Sequence, residues 1–320
     1  MQRRQLGQTD MYVSPVALGC WPIAGMTSLD VTEEASRATL EAALASGINF
    51  FDTAYCYGQD GESERMVGEA TAAHDDVVIA TKCGIAWDAQ VKRVIDGRPE
   101  TLRRQVDESL RRLNRDMVEL LYLHAPDPHT PLEDSAGALL EIMQAGKARA
   151  IGVSNFDLGQ LQAFEAVCPI SAMQPAYNML QRQIEIDTLP WCREQRVSVC
   201  PYWPLMKGLL AGKLTRDHVF APGDGRAKYP MFQGDEWQRN MDFVEDLHAI
   251  ADDIGCTVAQ LAIHWAIQQP GITAALCGAK RPQQIRDTAR AMAIEFSERH
   301  QADIAAALTR RGIPAVCTAV

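Results

Sequence analysis

A chain of 320 residues, 47% hydrophobic and 22% charged, has the balance of a soluble globular protein and the length for one large α/β domain or two smaller ones. Its formal net charge of −10 argues against nucleic acid or an anionic membrane as a general partner, while leaving room for a local basic pocket. No apolar run approaches the roughly 20 residues of a membrane span. The opening Met1-Gln2-Arg3-Arg4-Gln5-Leu6-Gly7 has no apolar stretch of signal-peptide length, so the expected location is the cytoplasm.

The first elements form a small hairpin, with Gly7-Gln8-Thr9-Asp10 as a turn cluster between two short β-like pieces. Residues 16–21 read as a buried strand running into Pro22. A helix follows over about 32–46, with Leu40, Ala43 and Leu44 at helical spacing and Gly47 suited to its stop. Phe50, Phe51 and Asp52 lie on the next strand. Residues 62–72 are helical, and 77–82 form another strand. Pro99 opens a helix striped by Leu102, Val106, Leu110 and Leu113. A strand over 118–124 is followed by a helix with Leu132, Ala136, Leu139, Leu140 and Met143 on one stripe, stopped by Gly146. The alternation continues with strands over 148–155, 170–174 and 197–202 and helices over 158–167 and 184–195. A long irregular stretch, 207–235, precedes two helices striped by Phe243/Leu247/Ile250/Ile254 and Val258/Leu261/Ala262/Trp265. Residues 272–278 form the last strand, and helices fill most of the remainder.

The strands are continuous apolar runs, the pattern of parallel strands covered on both faces. About eight βα units in one chain predict a closed (β/α)8 barrel of the α/β class, with an N-terminal hairpin and a long loop after the seventh strand. A doubly wound open sheet would carry a GxGxxG loop after its first strand, and none is present; Gly223-Asp224-Gly225 lacks that context. No domain boundary is expected within 1–320.

In such barrels the chemistry lies at the C-terminal ends of the strands. Those ends carry Trp21, Asp52, Lys82, His124, Asn155, Gln174, Tyr202 and Gly278. Most are polar or aromatic, which packing alone does not select. A carboxylate where a buried strand meets its loop needs a partner, and Lys82 offers one. His124 and His129 have no cysteine or acidic cluster at ligand spacing, so no metal site is expected. Nine cysteines, at 20, 56, 83, 168, 192, 200, 256, 277 and 317, form no CxxC pair, which points to reduced thiols. Cys56 and Cys83 flank Tyr57 and Lys82. They read either as small buried hydrophobes or as thiols whose oxidation disturbs the site.

The segments Asp52-Thr53-Ala54-Tyr55-Cys56-Tyr57-Gly58, Ser63-Glu64, Thr81-Lys82, Leu123-His124-Ala125-Pro126-Asp127 and Gly152-Val153-Ser154-Asn155-Phe156 resemble those of the aldo-keto reductases. So do Gln174-Pro175-Ala176-Tyr177-Asn178, Tyr202-Trp203-Pro204-Leu205 with Gly208-Leu209-Leu210, and Gly278-Ala279-Lys280. The matches run from about residue 3 to 290 in the family's order. They are closest to the branch that includes the potassium-channel β-subunits. The resemblance implies NADP-dependent, reversible reduction of aldehydes and ketones, with Asp52, Tyr57, Lys82 and His124 as the catalytic tetrad. The chemistry agrees. Hydride goes to carbon and a proton to oxygen; a phenol titrates near about 10, and a neighbouring ammonium lowers that value. Lys82 would supply the charge, Asp52 would hold it, and His124 would orient the carbonyl oxygen. Alternation along an extended segment places Tyr55 on the same side as Tyr57, so chemistry alone leaves both phenols open; the family's spacing selects Tyr57.

By the same resemblance the cofactor is NADPH, with NADH less favoured, lying across the barrel mouth. Ser154, Asn155 and Gln174 match hydrogen bonders of the nicotinamide carboxamide, and Tyr202 the aromatic stacked on its ring. Trp21 and Gly278, at two strand ends, join the cofactor set. Trp203, Pro204, Leu205, Lys207 and Lys213 match the stretch along the pyrophosphate, and Arg226 lies in a loop that closes over the cofactor. Lys280, Gln284, Asp287 and Thr288 match the segment around the adenosine 2′-phosphate, where a helix beginning near Arg281 would point amide donors. Two positions depart from the family: Trp203 stands where Ser is frequent and Thr288 where Asn is frequent. Lys280, Arg281 and Arg286 keep positive charge near the phosphate, or serve as a solvated helix face. Trp21, Trp87 and Trp203, with Tyr229, Phe232 and Trp237 of the long loop, suit the wall and roof of a pocket for a small carbonyl or alcohol substrate. Two other readings compete: an NADPH-binding regulatory subunit with little turnover, and a barrel lyase or aldolase using Lys82 as a Schiff base. Oligomeric state, monomer or homo-oligomer, stays open.

Overall fold

The computed structural model describes residues 2–25 and 31–315; Cys317 lies outside them. The chain begins with an antiparallel hairpin, β1 (Arg4–Gln5) and β2 (Tyr12–Val13). Three parallel strands follow, β3 (Val16–Gly19), β4 (Phe50–Asp52) and β5 (Val78–Cys83). A second antiparallel hairpin, β6 (Ile85–Trp87) and β7 (Arg93–Ile95), interrupts them. The parallel set resumes with β8 (Val118–Leu123), β9 (Ala148–Ser154), β10 (Ala172–Gln174), β11 (Ser198–Val199) and β12 (Ala275–Gly278). The sheet runs β11-β10-β9-β8-β5-β4-β3-β12. Its two edges meet: Val199 bridges Ile272 in parallel, Thr273 N–H donates to Val199 O at 2.8 Å and Leu276 N–H to Pro201 O at 2.8 Å. Eight parallel strands closed this way make the (β/α)8 barrel expected from the alternation.

The helices are α1 (Glu33–Ala45), α2 (Glu62–Thr71), α3 (Pro99–Leu113), α4 (Leu132–Gln144), α5 (Leu158–Glu165), α6 (Thr188–Gln195), α7 (Gly234–Ile254), α8 (Val258–Gln268), α9 (Pro282–Ala289) and α10 (Glu298–Arg311). Side-chain oxygens cap several starts: Thr32 accepts from Ala35 N–H, while Asp157 with Gln160 and Thr257 with Gln260 form capping boxes.

Two apolar layers explain why the strand sequences are apolar throughout. Ala17, Phe50, Val78, Ala80, Leu120, Tyr122, Ala150, Ala172 and Leu276 point into the barrel. Their neighbours Val16, Leu18, Phe51, Ile79, Leu121 and Ile151 face the helices. Leu6, Met11 and Val13 of the hairpin region plug the N-terminal end, buried against the interior set. The interior is tight: a Cβ on Gly152 would come within 2.4 Å of the Tyr122 ring and 2.8 Å of Ala172 O.

Some boundaries differ from expectation. The β6–β7 hairpin does not show in the pattern, because three-residue strands carry too little periodicity. It is held by Asp88, whose Oδ1 accepts from Gln90 and Lys92 N–H, and by Trp87. Helix α6 starts at Thr188 rather than 184. Pro190 lacks an N–H and fits only within a first helical turn. The strand expected over 197–202 keeps regular pairing only at Ser198–Val199, and Tyr202 is reached through a single bridge to Ala176. The stretch expected to be irregular contains two short 3₁₀ turns, Gly225–Lys228 and Pro230–Phe232, and is entered through a kinked segment, Met206–Ala211, whose backbone leaves helical geometry at Lys207 and Gly208.

Candidate active site

Strand parity builds the site. Phe50, Ala80, Tyr122, Ala172 and Cys200 face inward, so Asp52, Lys82, His124, Gln174 and Tyr202, two residues further on, form the next inward layer at the C-terminal mouth. Lys82 is fully buried and Asp52 is 2% exposed. Lys82 Nζ donates to Asp52 Oδ1 at 2.6 Å, to Thr53 O at 2.7 Å and to Tyr57 Oη at 3.2 Å. An ammonium has three N–H bonds, and all three are used. Asp52 Oδ2 accepts from Gln174 Nε2 at 2.8 Å. Burial pushes the Asp52 carboxyl up, and Lys82 and Gln174 act against it.

The loop after β4 turns rather than extends: Tyr57 N–H donates to Ala54 O at 3.0 Å, and Gly58 takes a φ of 102°. This overturns the expectation that Tyr55 and Tyr57 share a side. Tyr55 turns to the helices, its hydroxyl donating to the Glu108 carboxylate and its ring lying 4.4 Å from the Arg112 guanidinium. Arg112 also donates to Tyr55 O and to buried Glu64, whose other oxygen accepts from Thr81. Tyr57 faces the mouth, with the Trp21 ring edge-on at 5.0 Å and the Lys82 ammonium 4.6 Å from its centroid. Trp87 lies 6.4 Å from Trp21, and its Nε1–H donates to Cys56 O at 2.8 Å and Gly58 O at 3.1 Å. The β6–β7 hairpin therefore clamps the loop that carries Tyr57.

The expected lowering of the Tyr57 phenol by Lys82 is not what the structure gives. Burial pushes the phenol well above its ordinary value, and the Asp52 carboxylate adds in the same direction. A lysine paired this closely with a carboxylate has its charge largely offset. His124 is driven the other way: burial first, then the charges of Lys82 and Arg93, hold its imidazole well below its usual range and hence neutral. Its ring is 5.9 Å from that of Tyr57, and its Nδ1 lies 3.6 Å from Cys56 Sγ. The sequence offered no signal for this last contact.

The residues assigned to the cofactor fall into three groups. Asn155, with left-handed φ of 63°, donates from Nδ2 to His124 O at 2.9 Å and to Ser154 Oγ at 3.1 Å, and accepts from the Tyr202 hydroxyl at 2.8 Å. Ser154 Oγ donates to Gln174 O. Tyr202 thus stands half-buried at the rim beside an amide cluster, a flat apolar face next to hydrogen-bonding groups. Trp203, Met206 and Lys207 all take left-handed backbone, with Pro204 buried and Leu205 packed on the core. Lys207 Nζ lies 3.6 Å from the Trp203 ring centroid and 4.3 Å from that of Tyr229, joining this loop to the long one. Lys213 is exposed beyond Gly212, and Arg226 pairs with Asp224. The third group surrounds the start of α9. Lys280 N–H donates to Gln284 Oε1 at 2.9 Å, Gly278 is exposed, and Arg281 and Arg286 project to solvent. Thr288 is partly buried, and Asp287 accepts from Gln283 while its carbonyl accepts from Gln260. An aromatic face beside amides, followed by lysines and an arginine and then a basic helix start, is a set of groups that fits a nicotinamide dinucleotide. Among the described residues no group of three or more His, Cys, Asp or Glu could hold a metal, and no helix is long and apolar enough to cross a membrane.

Residues 15–309 match the model of the Aldo/keto reductase family. The chain is 35% identical over 315 residues to aldo-keto reductase YhdN of Bacillus subtilis, covering 95% of this chain and 92% of that one. It is 33% identical to the NADH-specific methylglyoxal reductase of Escherichia coli, covering 93% and 95%. The structure of a glycerol dehydrogenase, AKR11B4, from Gluconobacter oxydans superposes with a TM-score of 0.91 at 33% identity, over 99% and 98% of the two chains. With a family match across almost the whole length, relatives above 30% identity and the same barrel, the chain belongs to the aldo/keto reductase family and is an oxidoreductase acting on carbonyl and alcohol groups.

Proposed function

We propose that the protein reduces small aldehydes and ketones to alcohols, reversibly, using NADPH, with Tyr57 as the proton donor. One observation carries this reading. All three Lys82 N–H bonds are used, and the third ends on Tyr57 Oη, which is therefore an acceptor toward lysine. Its own O–H is left to point into the mouth.

The nicotinamide, when bound, supplies the hydride. Tyr57 then gives its proton to the oxygen of the reduced substrate: the Oη–H bond breaks, and the phenolate formed lies beside the Lys82 ammonium. A phenol kept well above its ordinary range is fully protonated before that step. Asp52 and Gln174 hold the lysine beneath it. Neutral His124 is placed to hydrogen-bond the carbonyl oxygen and fix its approach. Trp21 and Trp87, with ring centroids 6.4 Å apart, give the mouth an apolar wall suited to shielding the reacting groups from water. The Schiff-base alternative needs a neutral amine with a free lone pair, which the three Lys82 bonds oppose.

Preference for NADPH rests on Lys280, Arg281 and Arg286 near the start of α9, a cluster suited to a 2′-phosphate. One relative is named as NADH-specific, so the two cofactors are compared directly. The test follows loss of NADPH and of NADH with 4-nitrobenzaldehyde. Turnover that is faster with NADPH and lost in Tyr57→Phe supports the reading. Binding of NADPH without turnover by the wild-type protein would refute it in favour of the regulatory subunit.

A further inference from the structure

We propose that the Cys56 thiol is a positioning residue for His124, donating to Nδ1 and so placing the ring's proton on Nε2. This deepens the reading above, in which His124 hydrogen-bonds the substrate oxygen, and rests on it. The geometry is direct. Cys56 Sγ lies 3.6 Å from His124 Nδ1, within reach of a sulfur hydrogen bond. Cys56 is 2% exposed, so the sulfur itself is shielded from water.

A neutral imidazole carries one proton on either nitrogen, and the partner of one nitrogen decides which. Only the tautomer with Nε2–H can donate to a carbonyl oxygen from the side away from Cys56. Burial supports the assignment at both ends. It pushes the thiol up to about 12, so the sulfur keeps its proton, and it keeps the ring neutral, so Nδ1 can accept.

The position of the sulfur is itself held. The Cys56 carbonyl accepts from Trp87 Nε1–H at 2.8 Å, and the next carbonyl but one, that of Gly58, from the same donor. The Asn155 amide fixes the other side of the histidine by donating to His124 O at 2.9 Å. Ring and thiol are thus fixed through their backbones by two different elements, β6 and the end of β9. The distance between them does not depend on the flexible tip of a long side chain. Two changes of similar size separate the hydrogen bond from mere bulk: Cys56→Val fills the space without a donor, and Cys56→Ser keeps a donor in slightly less space.

The experiment records long-range proton–nitrogen correlation spectra of protein labelled with ¹⁵N-histidine, with His124→Gln used to assign the His124 signal. The wild type is expected to show Nε2 protonated and Nδ1 bare. Cys56→Val should mix the tautomers and lower kcat about tenfold with little change in KM. Cys56→Ser should restore the wild-type tautomer and most of kcat. A wild-type ring protonated on Nδ1 overturns the proposal, as does a Cys56→Val protein whose tautomer is unchanged, whatever its rate. A tautomer that shifts in Cys56→Val without any loss of kcat leaves the thiol assignment standing and removes His124 from the chemistry. The failure of the two readings is therefore told apart.

Discussion

Lys82 and Asp52 form an ion pair that solvent does not reach: nitrogen and oxygen are 2.6 Å apart, and the side chains are 0% and 3% exposed. Removing one member strands the other in low dielectric. Lys82→Met is expected to lose about 3–5 kcal/mol in urea unfolding, whereas the double variant Asp52→Leu/Lys82→Met should lose clearly less than the sum of the single changes. Additive losses would show that the pair is not coupled.

Tyr57→Phe removes the proposed proton donor while leaving the ring between Trp21 and Lys82. Turnover should fall by about 10²–10⁴, with NADPH affinity retained in a fluorescence titration. Tyr55→Phe is the control. Its hydroxyl is bound to Glu108 on the outer side, so carbonyl reduction should persist while stability drops by about 0.5–1.5 kcal/mol.

The raised Tyr57 phenol sets the sign of the pH dependence. Reduction needs the protonated form, so its kcat should stay level through neutrality and decline only above the ordinary phenol range of about 10. Alcohol oxidation needs the phenolate as acceptor and should instead rise with pH. Rates measured in both directions over the same buffers check this; a reduction rate that falls steadily between neutral and mildly alkaline pH contradicts it.

Two histidines bear on stability, His264 buried and His124 partly buried at the mouth. His124 and His264 are both held below their ordinary value by burial, His264 with its ring against Phe296 and Nδ1–H donating to Ala291 O. Below about pH 6.5 the unfolded chain takes up protons at these sites and the folded one does not, so stability falls as pH falls. The slope approaches about 1.4 kcal/mol per pH unit for each histidine. His264→Gln should flatten the curve, read from urea midpoints across that range.

Much of the fold was legible because parallel strands buried on both faces must be apolar throughout, and stripes such as Leu102, Val106, Leu110 and Leu113 mark helices regardless of neighbours. Loop-carried pieces were not. The β6–β7 hairpin has strands of three residues and is held by Trp87 reaching the loop after β4, a contact between segments about thirty residues apart.

Composition, periodicity and strand ends thus determined by themselves that this is an α/β chain of alternating units with Asp52, Lys82, His124, Gln174 and Tyr202 at their C-terminal ends, because side chains alternate strictly along a strand. Family spacing pointed to Tyr57, but only the tertiary structure gave the physical reason that it and not Tyr55 faces the lysine: a turn at Ala54–Tyr57 breaks that alternation. It also decided the sense of the Tyr57 shift and the meeting of Cys56 with His124. Burial and the approach of one loop to another are properties of the closed barrel, and no local pattern of residues carries them.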